Sequence, residues 1–228
     1  MGSVERQNPP VVCVFCGTSA GNDPIHLSQA RSLAQAFHKH GIKLAFGGGT
    51  SGLMGEVASE LVRLSGPEAA HGIIPKALMA FERKYTNDQD SAENGMEAQK
   101  KSDESRFGRT TVVQDMHTRK RTMVDEVLAG GPGSGFVALS GGYGTLEELM
   151  EIVTWNQRGI HDKPVVLLNV DGYWDGLLQW VKKAVGAGFV AKGNSSIMSQ
   201  ASSADQVLQR LRDYESAEGC LELQWEEE

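Results

Sequence analysis

The chain has 228 residues, 40% of them hydrophobic and 22% charged, with a formal net charge of −7. That length is near the upper end of what one hydrophobic core holds, so a single α/β domain is expected. The acidic balance and the lack of any block of consecutive basic residues argue against nonspecific nucleic-acid or anionic-membrane binding, which both need a concentrated positive field.

Residues 1–10 are polar and lack the apolar stretch of a signal peptide, so they read as a disordered start to a cytoplasmic protein. No later apolar run approaches the ~20 residues that span a bilayer. The first strand candidate is Val11–Phe15, which carries Cys13 and, just beyond its end, Cys16. Their C-x-x-C spacing could signal redox or metal chemistry. In an apolar run with no grouped further ligands, however, both read as small core hydrophobes. A helix follows over Pro24–His40, then a strand over Ile42–Phe46, a helix over Leu53–Leu64 and a strand over His71–Ile74. Residues 83–109 are polar and charged, too poor in apolar surface to offset their ordering entropy, and read as an excursion or lid.

The pattern resumes with a strand at Thr111–Val113 and a helix at Met116–Ala129. The glycine-rich run from Gly130 to Gly135 reads as a flexible connection to a strand at Phe136–Leu139. Helix Leu146–Gln157, strand Pro164–Asn169, and helices Trp174–Val185 and Ala204–Tyr214 complete the chain before an acidic tail, 216–228. Strands alternating with helices imply parallel strands and right-handed crossovers. The expected fold is a Rossmann-like, doubly wound parallel sheet in a single α/β domain over residues 11–215. Ligands on such sheets bind at the carboxyl ends of the strands.

Two loops at strand-to-helix junctions carry the chemistry. Gly47-Gly48-Gly49-Thr50-Ser51-Gly52 follows the second strand, and Ser140-Gly141-Gly142-Tyr143-Gly144-Thr145-Leu146-Glu147-Glu148 follows the fifth. Glycines let backbone approach a ligand, and a helix N-terminus offers unpaired N–H groups and a positive dipole end. Alone, the first loop could be a tight turn with a hydroxyl N-cap, and it lacks the Gly-Lys-Ser/Thr of a P-loop. Two such loops on one sheet point to a phosphate or phosphosugar. In the helix opening at Met116, a wheel puts Lys120 near the middle of the apolar stripe and Arg119 at its edge, with Arg121 outward. Inward cations are costly unless paired or bound to an anion. Their stems could instead snorkel to solvent. Thr145-Leu146-Glu147-Glu148 also spells a capping box, with Thr145 as N-cap. The wheel opposes that reading, because Glu148 shares a face with Ile152 and Trp155.

At these residues the chain resembles the LOG family, the cytokinin riboside 5′-monophosphate phosphoribohydrolases. The resemblance rests on Gly141 to Glu148, on Met116-His117-Thr118-Arg119-Lys120, and on Gly47 to Gly55. It extends through Phe15-Cys16-Gly17-Thr18-Ser19, Gly72 to Leu78, His161 to Pro164 and Leu168 to Tyr173. It implies hydrolysis of the N-glycosidic bond of a nucleoside 5′-monophosphate, no cofactor, no metal and a homodimer. It assigns Arg119 and Glu148 as the catalytic pair. Glu82, Lys120, Gly141, Gly142, Tyr143, Gly144, Thr145, Leu146, Glu147 and Thr154 become substrate contacts, beside Gly48, Gly49 and Thr50 of the first loop. Ser140 stands where the family usually carries proline. Cleavage passes through an oxocarbenium-like ribosyl centre, which a carboxylate stabilises while activating water. Arg119 would bind ribose or phosphate, or orient Glu148, while Lys120 and the loop amides anchor the phosphate. A pyridoxal-dependent decarboxylase would need a Schiff-base lysine in a recognisable cofactor setting, and the sequence offers none. The rival class is a non-catalytic nucleotide-binding or carrier protein on the same fold.

Overall fold

The computed structural model describes residues 8–79 and 103–221. Within them a seven-stranded sheet has the order β4-β3-β2-β1-β5-β6-β7, every pair parallel. The strands are β1 Val11–Phe15, β2 Lys43–Phe46, β3 Ala70–Pro75, β4 Arg109–Val113, β5 Gly135–Ala138, β6 Val165–Leu168 and β7 Met198–Ala201. The helices are α1 Pro24–His40, α2 Gly52–Ser65, α3 Met116–Ala129, α4 Tyr143–Gln157, α5 Asp175–Gly186 and α6 Ala204–Arg212. Strands β5 and β6 are buried throughout, as expected of central parallel strands covered on both faces. One face packs on α1, α2 and α6 through Leu33, Phe37, Val57, Leu61 and Val207. The other packs on α3, α4 and α5 through Met123, Val127, Leu149, Ile152 and Leu178. Cys13 and Cys16 are both buried and belong to opposite faces. That placement rules out a shared metal or a disulfide between them.

The chain leaves β1 toward β2 on one side and later enters β5 on the other. A crevice therefore opens above β1 and β5, at the switch point where such sheets bind ligands.

Several expectations are corrected. Strand β7 was not anticipated, because Met198 to Gln200 are only partly covered at the sheet edge and show no apolar run. Helix α4 starts at Tyr143 rather than Leu146, with Gly142 as N-cap, so Thr145 lies inside the first turn and the capping box does not form. Residues 103–107 are helical and Arg109 opens β4, so the polar excursion is shorter at its C-terminal end; residues 83–102 lie outside the described residues. The run Gly130–Gly135 is tied down rather than loose. Gly131 N donates to Pro9 O (3.1 Å), and Ser134 Oγ donates to Gly131 O (2.7 Å) while accepting from Val11 N (2.9 Å). Of the lead-in, residues 8–10 are anchored, since Asn8 Nδ2 donates to Ala129 O (3.1 Å). Of the tail, Ala217 is buried and Leu221 N donates to Gln157 O (2.9 Å).

Candidate active site

Three loops meet above the sheet. The turn after β1 is the hub: Gly17 N donates to Ser140 O (3.0 Å), and Gly17 O accepts from Met54 N (3.2 Å). It thereby joins the loop after β5 to the start of α2. The fit depends on missing side chains. A β-carbon at Gly141 would overlap Thr145 Oγ1 and come within 2.9 Å of Gly17 N. Helices α2 and α4 both begin without a side-chain cap; Met54 N of α2 is taken by Gly17 O, and the α2 N–H groups ahead of it and those at the start of α4 have no side-chain acceptor among the described residues. Gly142, Tyr143 and Gly144 are exposed at the start of α4, Tyr143 almost completely, while Thr145 is buried and Leu146 is half-buried against the core.

Below this rim sits the charged pair. Arg119, on the second turn of α3, is 6% exposed, and Glu148, on the second turn of α4, is likewise 6% exposed. Arg119 Nη1 donates to Glu148 Oε1 at 2.5 Å, and Nε donates to Ile73 O at 3.1 Å. The guanidinium is fixed from two directions by α4 and β3. Its third side explains Gly47, which sequence reasoning placed in the loop without a role. A β-carbon at Gly47 would overlap Arg119 Nη2, so the glycine opens the slot through which the arginine reaches the crevice. Burial pushes the Glu148 carboxyl up from its ordinary range, and the Arg119 charge opposes that rise. The result is a carboxyl group in a largely dry pocket, where burial outweighs the opposing charges of Arg119 and, to a lesser extent, Lys120.

Lys120 points the same way but is occupied. Its Nζ lies 2.5 Å from Glu147 Oε1 and 2.9 Å from Glu151 Oε2. Burial draws its pKa down, but the bonds to both carboxylates outweigh that, and it titrates above its ordinary value. Glu151 was not foreseen, because its partner arrives only when α3 packs on α4. Gly48, Gly49 and Thr50 form the turn from β2 to α2, where Gly48 packs close to Ile73 and Ile74 of β3 and Gly49 N donates to Met54 Sδ (3.1 Å). Thr154 is not gathered with them. It is exposed on α4, bonded to Met150 O (2.8 Å), about 14 Å along the helix from Thr145. Glu82 lies outside the described residues. Among the described residues no group of His, Cys, Asp and Glu could hold a metal ion, and no helix is long and apolar enough to cross a membrane.

Comparison with known proteins bears on this site. A family model described as "possible lysine decarboxylase" matches residues 54–211. The bifunctional cytokinin biosynthesis protein of Fusarium pseudograminearum is 51% identical over 222 residues; they cover 97% of this chain but 44% of that protein. A probable cytokinin riboside 5′-monophosphate phosphoribohydrolase of Oryza sativa subsp. japonica is 40% identical, covering 89% of this chain and 79% of the rice protein. An Arabidopsis thaliana phosphoribohydrolase of the same description is also 40% identical, covering 89% and 83%. Among solved structures, the Moco carrier protein of Chlamydomonas reinhardtii has a TM-score of 0.55 at 17% identity, covering 89% of this chain and 97% of its own. A molybdenum cofactor binding protein of Rippkaea orientalis has a TM-score of 0.53 at 20% identity, covering 88% and 94%. These two likenesses concern the fold alone. The sequence matches decide the family: this chain belongs to the LOG family, whose relatives are the cytokinin riboside 5′-monophosphate phosphoribohydrolases.

Proposed function

We propose that the protein hydrolyses the N-glycosidic bond of an adenosine 5′-monophosphate-type nucleotide, releasing the free base and ribose 5-phosphate. The observation that carries this reading is the buried Arg119–Glu148 pair directly beneath converging glycine loops. Backbone N–H groups at the starts of α2 and α4 would take the 5′-phosphate, leaving the ribose over the carboxylate. Glu148 then stabilises positive charge developing at the anomeric carbon and polarises the attacking water. Arg119 favours the ionised form of Glu148 and aims it. Since Lys120 already holds Glu147 and Glu151, the amides carry most of the phosphate binding, and Lys120 supports the α3–α4 joint.

A carrier would have no use for a charged pair kept out of water at this position, because breaking or burying such a pair is costly. The protein is further proposed to act as a cytoplasmic homodimer. Its unpaired cysteines suit a reducing compartment. Leu146, Met150 and Val153 on α4, each only partly covered within the subunit, suit a self-complementary contact. The test is to incubate the protein with AMP, CMP and N6-isopentenyl-AMP and with the matching nucleosides, then to chromatograph the released bases. Base release from the monophosphates far above that from the nucleosides is expected. Equal rates on adenosine and AMP overturn the reading.

A further inference from the structure

The loop after β5 is gripped from both neighbouring strands. On the β1 side, half-buried His26 in the first turn of α1 shares a 2.9 Å hydrogen bond, Nδ1 to Ser140 Oγ, and Ser140 is 6% exposed. On the β6 side, the Tyr173 hydroxyl donates to Gly141 O. The two gripping rings touch, edge to face, with centroids 5.9 Å apart at 78°.

Tyr173 is delivered by an unusual turn. Asp171 is the only non-glycine described residue in the left-handed region (φ 49°), and Gly172 follows at φ 70°. Such conformations persist where surrounding bonds over-determine them. Here Asn169 does so, accepting from Trp174 N (2.8 Å) and donating to Asp175 Oδ1 (2.7 Å). Neither His26 nor Tyr173 is buried enough to serve the core, yet each fixes one of two successive loop residues. Gly141 and Gly142 have no side chains with which to hold themselves.

We propose that His26 and Tyr173 are positioning residues that form a clamp on the phosphate-binding loop, attached at Ser140 Oγ and Gly141 O respectively. The clamp fixes the backbone of residues 140 and 141 so that the amides beyond them face the phosphate before substrate arrives. This rests on the reading that the loop binds the 5′-phosphate. Proline at 140 would restrict the same backbone without any partner, because its ring fixes φ. The clamp is therefore a side-chain substitute for backbone rigidity.

The test is steady-state kinetics on AMP and adenosine for His26→Phe, Ser140→Ala, Tyr173→Phe and the pair His26→Phe/Ser140→Ala. Melting curves on each establish that it is folded. His26→Phe keeps the ring against Tyr173 and removes only the bonding nitrogen. KM for AMP is expected to rise about tenfold in His26→Phe and in Ser140→Ala, with a much smaller change in kcat. The pair should be no worse than either single variant, because both remove one bond. Tyr173→Phe should raise KM separately, and Ser140→Pro/His26→Phe should recover the affinity that His26→Phe loses. An unmoved KM, a fall confined to kcat, or additive losses in the pair would overturn the clamp. If the unmodified protein cleaves adenosine as well as AMP, the phosphate reading itself fails. If it prefers AMP and His26→Phe keeps that preference and KM, only the clamp fails.

Discussion

Glu148 and Arg119 answer to stability and chemistry at once, and substitutions can separate the two. Glu148→Gln keeps an acceptor for Arg119 but leaves a buried guanidinium without its counter-charge. Breaking a buried pair is destabilising, so the variant should lose about 2 kcal/mol, or about 4–8 °C in Tm, with hydrolysis down about 10³-fold. The double variant Arg119→Met/Glu148→Leu removes both charges and should melt at or above the parent temperature while remaining inactive. Calorimetry beside the base-release assay checks both; activity in the double variant would place the reacting carboxylate elsewhere. The pH profile gives an independent reading. Glu148 must be ionised to act and its carboxyl is raised by burial, so kcat/KM should fall as pH drops through a value above the ordinary 4.5. Because Arg119 holds that carboxyl down, Arg119→Gln should move the acid limb of the profile to still higher pH.

Between elements, α1 and α2 are tied through a nearly buried carboxylate remote from the crevice. Glu60 accepts from Arg63 Nε (2.8 Å) and Nη2 (2.9 Å) on its own helix and from Gln35 Nε2 (2.9 Å) on α1. The Arg63 hydrogen bonds, with lesser help from Gln35, pull its pKa from 4.5 to about 2. A depressed carboxylate contributes stability that is complete above the unfolded value of 4.5 and is lost as pH falls toward about 2. Glu60→Gln should therefore destabilise the protein by on the order of 1–2 kcal/mol at neutral pH, since Arg63 is solvent-exposed and screened. The deficit should vanish near pH 2, as urea titrations across that range would show. Elements of this kind were largely legible in the sequence: α1 and α3 have the bounds that periodicity suggests, and the structure shows Asp23 and Asp115 capping them. The start of α4 was not, because Gly142 to Gly144 read as loop until Thr145 packs on Gly141, leaving Gly142 as the cap and Tyr143 and Gly144 in the first turn. The inward turn of Arg119 and Lys120 was visible on a helical wheel. Their partners Ile73 and Glu151 were not, since those contacts exist only once distant elements are packed.

For the molecule as a whole, the partly covered apolar residues of α4 lead to an assembly prediction. Light scattering should return twice the chain mass, and Val153→Glu should return the monomer mass, because a buried carboxylate on a two-fold contact is met by its own copy. A monomer mass for the unmodified protein would count against self-association. The doubly wound parallel sheet followed from the alternation of apolar runs; its strand order did not, and β7 escaped because an edge strand need not be apolar. The opposed placement of Cys13 and Cys16 has a practical side. Both thiols are sealed in the two halves of the core, and burial pushes both far above the ordinary thiol range, so neither forms a thiolate in the native state. Cys220, less covered and near the C-terminus, differs from them. A thiol-reactive dye should thus modify Cys220 first and reach the other two only when the central strand is exposed by global opening. The slow labelling phase then becomes an intrinsic clock for unfolding, readable by mass spectrometry without adding a probe, and slowed by any ligand that seals the crevice.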